Sequence, residues 1–223
     1  MTFRGWSPEA FDFYAELETN NNRGWWQEHR STYRSEVVTP FEEFAAIVEA
    51  EFGTMRIFRP NRDVRFSRDK TPYKTAAAAM TESEGGSSYY LQLSAEGLMA
   101  GVGMYHLAPD QLTRYRAAVA DDRTGSEVAA IADEIVSAGY EVASAESLKT
   151  APRGWDREHP RIGLARRKGL VMTRSFPRAK WQSTPAAAER ILSVWRDAAP
   201  LAAWLDLHVG PSTLPPPEPR GAR

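Results

Sequence analysis

Thr75-Ala76-Ala77-Ala78-Ala79-Met80-Thr81-Glu82, followed by Ser83-Glu84-Gly85-Gly86-Ser87 and Ser88-Tyr89-Tyr90-Leu91-Gln92-Leu93-Ser94, is the stretch on which the fold turns. Strand-like runs over 75–82 and 88–94 flank Glu84-Gly85-Gly86-Ser87, a turn sequence. A connection this short joins antiparallel neighbours, whereas a parallel crossover needs about a dozen residues or more. Further strands are expected at 55–59, 62–67 and 98–105, with Asp69-Lys70-Thr71-Pro72 as another turn.

Helical patterning lies on both sides. Ser7-Pro8-Glu9 opens a first helix, with Ser as cap, Pro in the first turn and an apolar face of Phe11, Tyr14, Ala15 and Leu17. Asn20-Asn21-Asn22 breaks it and caps a second, which carries Trp26, Arg30, Tyr33 and Val37 at helical spacing. Thr39-Pro40 interrupts, and Phe41, Phe44, Ile47 and Val48 mark a third. Beyond the strands, helices are expected from Pro109-Asp110, over 125–138 up to a C-capping Gly139, from Thr184-Pro185 through Trp195, and over Leu201–Leu207. A short strand is expected at Leu170–Thr173. The reading is a single α+β domain over 1–210, a mainly antiparallel sheet covered by N-terminal and C-terminal helices. A disordered Pro-rich tail is expected over 211–223.

Composition excludes several classes. The 223 residues are 42% hydrophobic, with seven Trp, eight Tyr and nine Phe, as in a globular protein. There is no cysteine, so disulfides, thiolate metal sites and Cys nucleophiles are excluded. No apolar run approaches membrane-spanning length, and Met1–Trp6 has no apolar signal-peptide core. A soluble cytoplasmic protein with no membrane partner is expected.

Charge is lopsided. Residues 56–74 carry seven Lys/Arg against two Asp, and residues 149–180 carry ten Lys/Arg against Asp156 and Glu158. With a formal net charge of −1, the remainder of the chain is strongly acidic. If the two basic blocks meet, they attract an anion, while the bulk surface repels polyanions. Taken singly, each block reads as a solvated loop.

The first block contains Arg62-Asp63-Val64-Arg65-Phe66-Ser67-Arg68-Asp69-Lys70-Thr71-Pro72-Tyr73-Lys74. As a strand, it would place Asp63, Arg65, Ser67 and Asp69 on one face. Arg65, Lys70 and Lys74 are candidate anion ligands, oriented by Asp63 and Asp69, with Tyr73 donating its hydroxyl. The structural alternative is that these charges pin a hairpin with Tyr73 in its core. In Asn20–Trp26, Asn22 reads as a cap, Trp26 as core, and Trp25 as a partly exposed ring able to stack on a ligand. The second block offers Arg153 and a loop shaped by Pro152, Gly154 and Pro160, with His159 and Asp156 as a candidate acid/base pair. A loop histidine is more often a polar surface residue. Asp156, Glu158 and His159 lack a second histidine at ligand spacing, so no metal site is assigned. Gly101-Val102-Gly103 lacks a third glycine; its role is to let a backbone or ring approach closely. Phosphate-loop, nucleophile-elbow and His-Glu-x-x-His spacings are absent.

Asn21-Asn22-Arg23-x-Trp25-Trp26, Arg62-Asp63-x-Arg65-Phe66-Ser67-x-Asp69-Lys70-x-Pro72-Tyr73-Lys74, Gly101-x-Gly103-x-Tyr105 and Pro152-Arg153-Gly154-Trp155-Asp156-x-x-His159-Pro160 occur in that order. Together they resemble the conserved hypothetical family known as domain of unknown function 2461, from about Phe11 to Leu205. Members commonly have Phe where this chain has Trp26 and Trp155. The resemblance implies a stand-alone soluble bacterial protein and brings no activity, cofactor or catalytic residue. The functional expectation is a basic cleft for a phosphorylated or carboxylated small molecule. The alternatives are a nucleic-acid-binding module, using Trp25 and Trp155, and a partner-binding or structural protein whose charges are internal pairs.

Overall fold

The computed structural model describes residues 2–65 and 67–215. The N-terminal helices are α1 (Pro8–Thr19), α2 (Arg23–Glu28), α3 (Arg30–Thr32), a π-helical turn (Tyr33–Val38) and α4 (Thr39–Phe52). Strands β1 (Arg56–Ile57), β2 (Ala76–Glu82), β3 (Ser88–Ser94) and β4 (Gly97–Met104) follow. Then come α5 (Pro109–Ala120), α6 (Asp122–Ser137), β5 (Glu141–Ala143), α7 (Ile162–Ala165) and β6 (Leu170–Pro177). A 3₁₀ turn (Lys180–Ser183), α8 (Ala186–Asp197) and α9 (Ala199–His208) complete the order. The strands form a sheet in the order β1-β2-β3-β4-β6-β5, and β2 pairs antiparallel with β1 and with β3. This is the expected α+β class.

The described residues fall into two compact units. The first draws on Met1–Glu82, Ser88–Gly101 and Thr173–Asp197, the second on Ser83–Ser87, Val102–Met172 and Ala198–Arg223. In the first, one face of the β2–β3 hairpin (Ala77, Ala79, Leu91, Leu93) is buried together with Phe11, Leu17, Phe41, Phe44 and Trp195 from the helices. The Trp195 ring lies 5.8 Å from Phe44, 5.1 Å from Phe52 and 5.7 Å from Tyr89, and its Nε1 donates to the Tyr90 carbonyl at 3.3 Å. A partner of this kind offsets the cost of burying an indole N–H.

In the second unit, α5, α6 and α9 bury Tyr115, Val119, Val128, Ile135, Leu201, Trp204 and Leu205. Trp204 Nε1 donates to the Thr124 carbonyl at 3.0 Å. Arg161 closes the C-terminal end of α5. Its Nε donates to the Val119 carbonyl at 2.8 Å, and Nη2 to those of Ala120 at 3.1 Å and Asp121 at 3.3 Å. A cation there also meets the negative end of the helix dipole. Gly103 performs the close approach expected of it. At φ +134°, a Cβ would stand 2.3 Å from the Leu170 carbonyl oxygen.

Several expectations are corrected. Thr39-Pro40 does not interrupt the helix; the chain passes through as a π-turn directly into α4. Pro40 has no N–H to donate, and the wider turn lets the Thr39 N–H and hydroxyl both reach the Arg34 carbonyl. Ser7 does not cap α1 through its side chain; its hydroxyl donates to Glu36 Oε2 at 2.7 Å. The expected strand at 62–67 is absent from its described residues. Arg62 N–H donates to the Pro72 carbonyl and Lys74 N–H to that of Pro60, both at 2.9 Å, giving only an Asn61–Tyr73 bridge. Pro60 and Pro72 supply no N–H to extend that ladder. Phe66, within that expected strand, lies outside the described residues, as do residues 216–223 of the expected tail. The start of that tail is held: Pro211 accepts from Arg114 Nη2 at 2.8 Å, and Ser212 Oγ and Thr213 N–H donate to the Asp110 carboxylate, each at 2.8 Å. β5, α7 and the 3₁₀ turn carried no clear pattern in the sequence.

Candidate functional site

In the first unit, the loop after Phe58 crosses back on itself at Asn61 and Tyr73, and side chains do the rest of the closing. The Arg62 guanidinium donates to Asp69 Oδ2 and to the Thr71 hydroxyl. Thr71 N–H and Oγ1 each donate to Asp69 Oδ1 at 2.9 Å. These contacts, the Arg62 bond first, hold the Asp69 carboxyl down at about 2. Lys70 Nζ turns back to the Val64 carbonyl at 2.9 Å, and Lys74 Nζ to that of Arg59 at 3.0 Å.

The loop is clamped from the helical side. Asn21 Nδ2 donates to the Tyr73 carbonyl at 2.9 Å, and Tyr73 N–H donates to Asn21 Oδ1 at 3.1 Å. Asn22 beside it caps α2 by accepting from Trp25 N–H at 3.0 Å, as expected. Tyr73 is buried and stacks on Trp26 at 4.0 Å, with Tyr33 a further 4.7 Å from Trp26. Burial pushes the Tyr33 hydroxyl up to about 12, so Tyr33 stays neutral.

Against this wall lies a cleft of about 750 Å³. Asn21, Arg62, Asp69, Thr71, Tyr73 and Lys74 line it, with Glu18 of α1 and Phe58. Its floor is the outer face of the hairpin: Ala76, Ala78, Tyr90 and Gln92. Two cations face two carboxylates across the lining, so the cleft is charge-balanced rather than basic.

Of the residues singled out by sequence, Asp69, Tyr73 and Lys74 line this cleft; Asp63, Arg65, Lys70 and Trp25 are not among its lining residues. Asp63 and Arg65 form an exposed bidentate pair, Nε to Oδ1 at 2.9 Å and Nη2 to Oδ2 at 2.7 Å. Its side chains remain 48% and 61% accessible, so a buried pair is ruled out. Trp25 stacks on His29 at 4.0 Å and packs 5.1 Å from Phe13.

Arg153, Asp156 and His159 belong to the second unit. Arg153 is exposed. The expected His159–Asp156 side-chain pair is not made. Asp156 Oδ1 accepts from the Glu158 N–H at 3.0 Å, and His159 Nδ1 accepts from the Arg161 N–H at 3.1 Å. Both are local loop bonds, which win because the partners are only two residues away. Two cations of this basic block are engaged structurally: Arg161 on α5, and Lys168 on Glu146 at 2.5 Å. Among the described residues, no three His, Asp or Glu side chains come together in a group able to hold a metal. Nor is any described helix long and apolar enough to cross a membrane.

The sequence reading missed Glu18, Asn21, Arg62, Thr71, Tyr90 and Gln92 as cleft residues. Apart from its place in the first family motif, Asn21 reads from sequence as part of a helix break. The available signals are the polar Tyr90 and Gln92 alternating with Leu91 and Leu93, and the places of Asn21 and Arg62 in the family motifs.

No curated protein and no solved structure shows a significant match to the chain. A family model does match, over residues 9–204, carrying the description "Conserved hypothetical protein (DUF2461)". With that span covering all four motifs up to Pro160 and both walls of the cleft, this chain belongs to the DUF2461 family.

Proposed function

We propose that the cleft of the first unit binds a small polar molecule carrying a phosphate or carboxylate group. The observation that carries this reading is the convergence of two separate motifs, around Asn21 and around Arg62–Lys74, on one open cavity instead of a closed set of ion pairs. Lys74 spends one ammonium proton on the Arg59 carbonyl, and an ammonium has three. Arg62 is already fixed by Asp69 and Thr71, so it meets a ligand at little further entropic expense. Asp69 is ionised at neutral pH and acts as an orienting group, not as a proton donor.

Charge balance in the lining disfavours the nucleic-acid alternative. Affinity for a polynucleotide grows with the number of phosphates neutralised, and two cations offset by two carboxylates provide few. The test is a thermal-shift screen with inorganic phosphate, glucose 6-phosphate, gluconate and a single-stranded oligonucleotide. A small anion should raise the melting temperature, with a gain that shrinks in salt and disappears in Lys74→Gln. If none of the small anions acts, or Lys74→Gln responds as fully as the wild type, the cleft is not an anion site.

A further inference from the structure

The floor of the cleft carries more information than its rim. Across the hairpin, Met80 stands opposite Tyr90 and Ala78 opposite Gln92, and the Phe58 N–H donates to the Ala78 carbonyl at 2.9 Å. Residues two apart on a strand share a face, so Ala76, Ala78, Tyr90 and Gln92 form one surface, and all four line the cleft. Alanine ends at Cβ. The middle strand therefore forms a trough flanked by the Phe58 and Gln92 side chains.

Hydrogen bonding sets what that trough offers. Tyr90 Oη donates to Gln92 Oε1 at 3.0 Å. The amide's acceptor end is thereby engaged, leaving Nε2 with two N–H donors. Among the described residues, no hydrogen bond engages that Nε2. An alkyl group laid in the trough would strip water from these donors without replacing its bonds, which is unfavourable. A hydroxyl accepts from them.

Resting on the anion reading above, we infer that the ligand is a phosphorylated or carboxylated polyol. Its hydroxyls are read by Gln92, and Tyr90 is a positioning residue that holds the Gln92 amide. Ala76 and Ala78 are specificity determinants by their smallness, since any larger side chain there occupies the space of the polyol body.

The test compares matched pairs by titration calorimetry: glucose 6-phosphate against n-hexyl phosphate, and gluconate against hexanoate. The hydroxylated member should bind about tenfold tighter or more in at least the pair whose anion the site accepts. Gln92→Leu should remove that preference while the response to inorganic phosphate stays. Tyr90→Phe, which keeps the ring and drops the hydroxyl, should reduce the preference in the same direction. Ala78→Leu should abolish polyol binding, with circular dichroism and melting temperature near wild type showing that the fold is kept. Equal affinity within both pairs, or a preference that survives Gln92→Leu, overturns the inference while leaving the anion site standing. Failure of all four compounds and of inorganic phosphate overturns both.

Discussion

The side-chain amide of Asn21 closes two hydrogen bonds on the backbone of Tyr73, donating to its carbonyl at 2.9 Å and accepting from its N–H at 3.1 Å. An amide is the one side-chain group that mimics a strand neighbour in this way, since it pairs a donor and an acceptor at fixed spacing. Asn21→Ala leaves both partly buried backbone groups unpaired. Chemical denaturation should show a loss of about 1–3 kcal/mol. Asn21→Asp keeps the acceptor and loses the donor, so it should fall between.

Asp63 and Arg65 form a pair that solvent reaches, and exposed pairs contribute little. Asp63→Ala should therefore leave the melting temperature nearly unchanged. A large drop would show that Asp63 bears on the loop through something other than this pair.

Asp69 makes stability depend on pH in a defined direction. Its carboxyl is lowered from 3.8 to about 2 by Arg62 and Thr71. A depressed folded value favours the folded state above the unfolded value and loses that effect as pH falls through the folded one. Wild type should exceed Asp69→Asn in stability near neutral pH. The gap should close between about pH 4 and pH 2 in an acid-unfolding series.

Arg161 is only 11% accessible and satisfies three carbonyls at the end of α5. Arg161→Ala should destabilise by about 2–4 kcal/mol, measured by urea unfolding. Arg161→Lys should recover little, because a single ammonium cannot span the positions that the planar fork reaches.

Truncation separates the two parts of the C-terminus. Cutting after Gly210 removes the Pro211, Ser212 and Thr213 contacts to Arg114 and Asp110, and should lower the melting temperature by roughly 2–4 °C. Cutting after Leu214 keeps them and should leave it close to wild type.

Much of the architecture was legible because it is local. The Gly85-Gly86 turn, the flanking strand runs, the Asn22 cap and the Gly139 helix stop each depend on residues a few positions apart. The 62–67 strand misled because alternation there describes the residues' chemistry, while Pro60 and Pro72 limit the ladder. The start of the tail misled because proline content says nothing of Ser212 and Thr213, which find the Asp110 carboxylate.

By itself the sequence determined the family and the α+β class, and it singled out Arg62–Lys74 and the loop Pro152–Pro160 as two places to look. Only the tertiary structure decided which of its charges line a cleft. Arg62 and Arg65 are equivalent on paper, yet Arg65 pairs with Asp63 two residues away, while Arg62 closes on Asp69 and Thr71 at the cleft. Asn21 became a cleft residue through a bond to Tyr73 across fifty-two positions. The physical reason is that side-chain hydrogen bonds are selected by which partners folding brings within about 3 Å. Spacing along the chain sets that distance only for near neighbours.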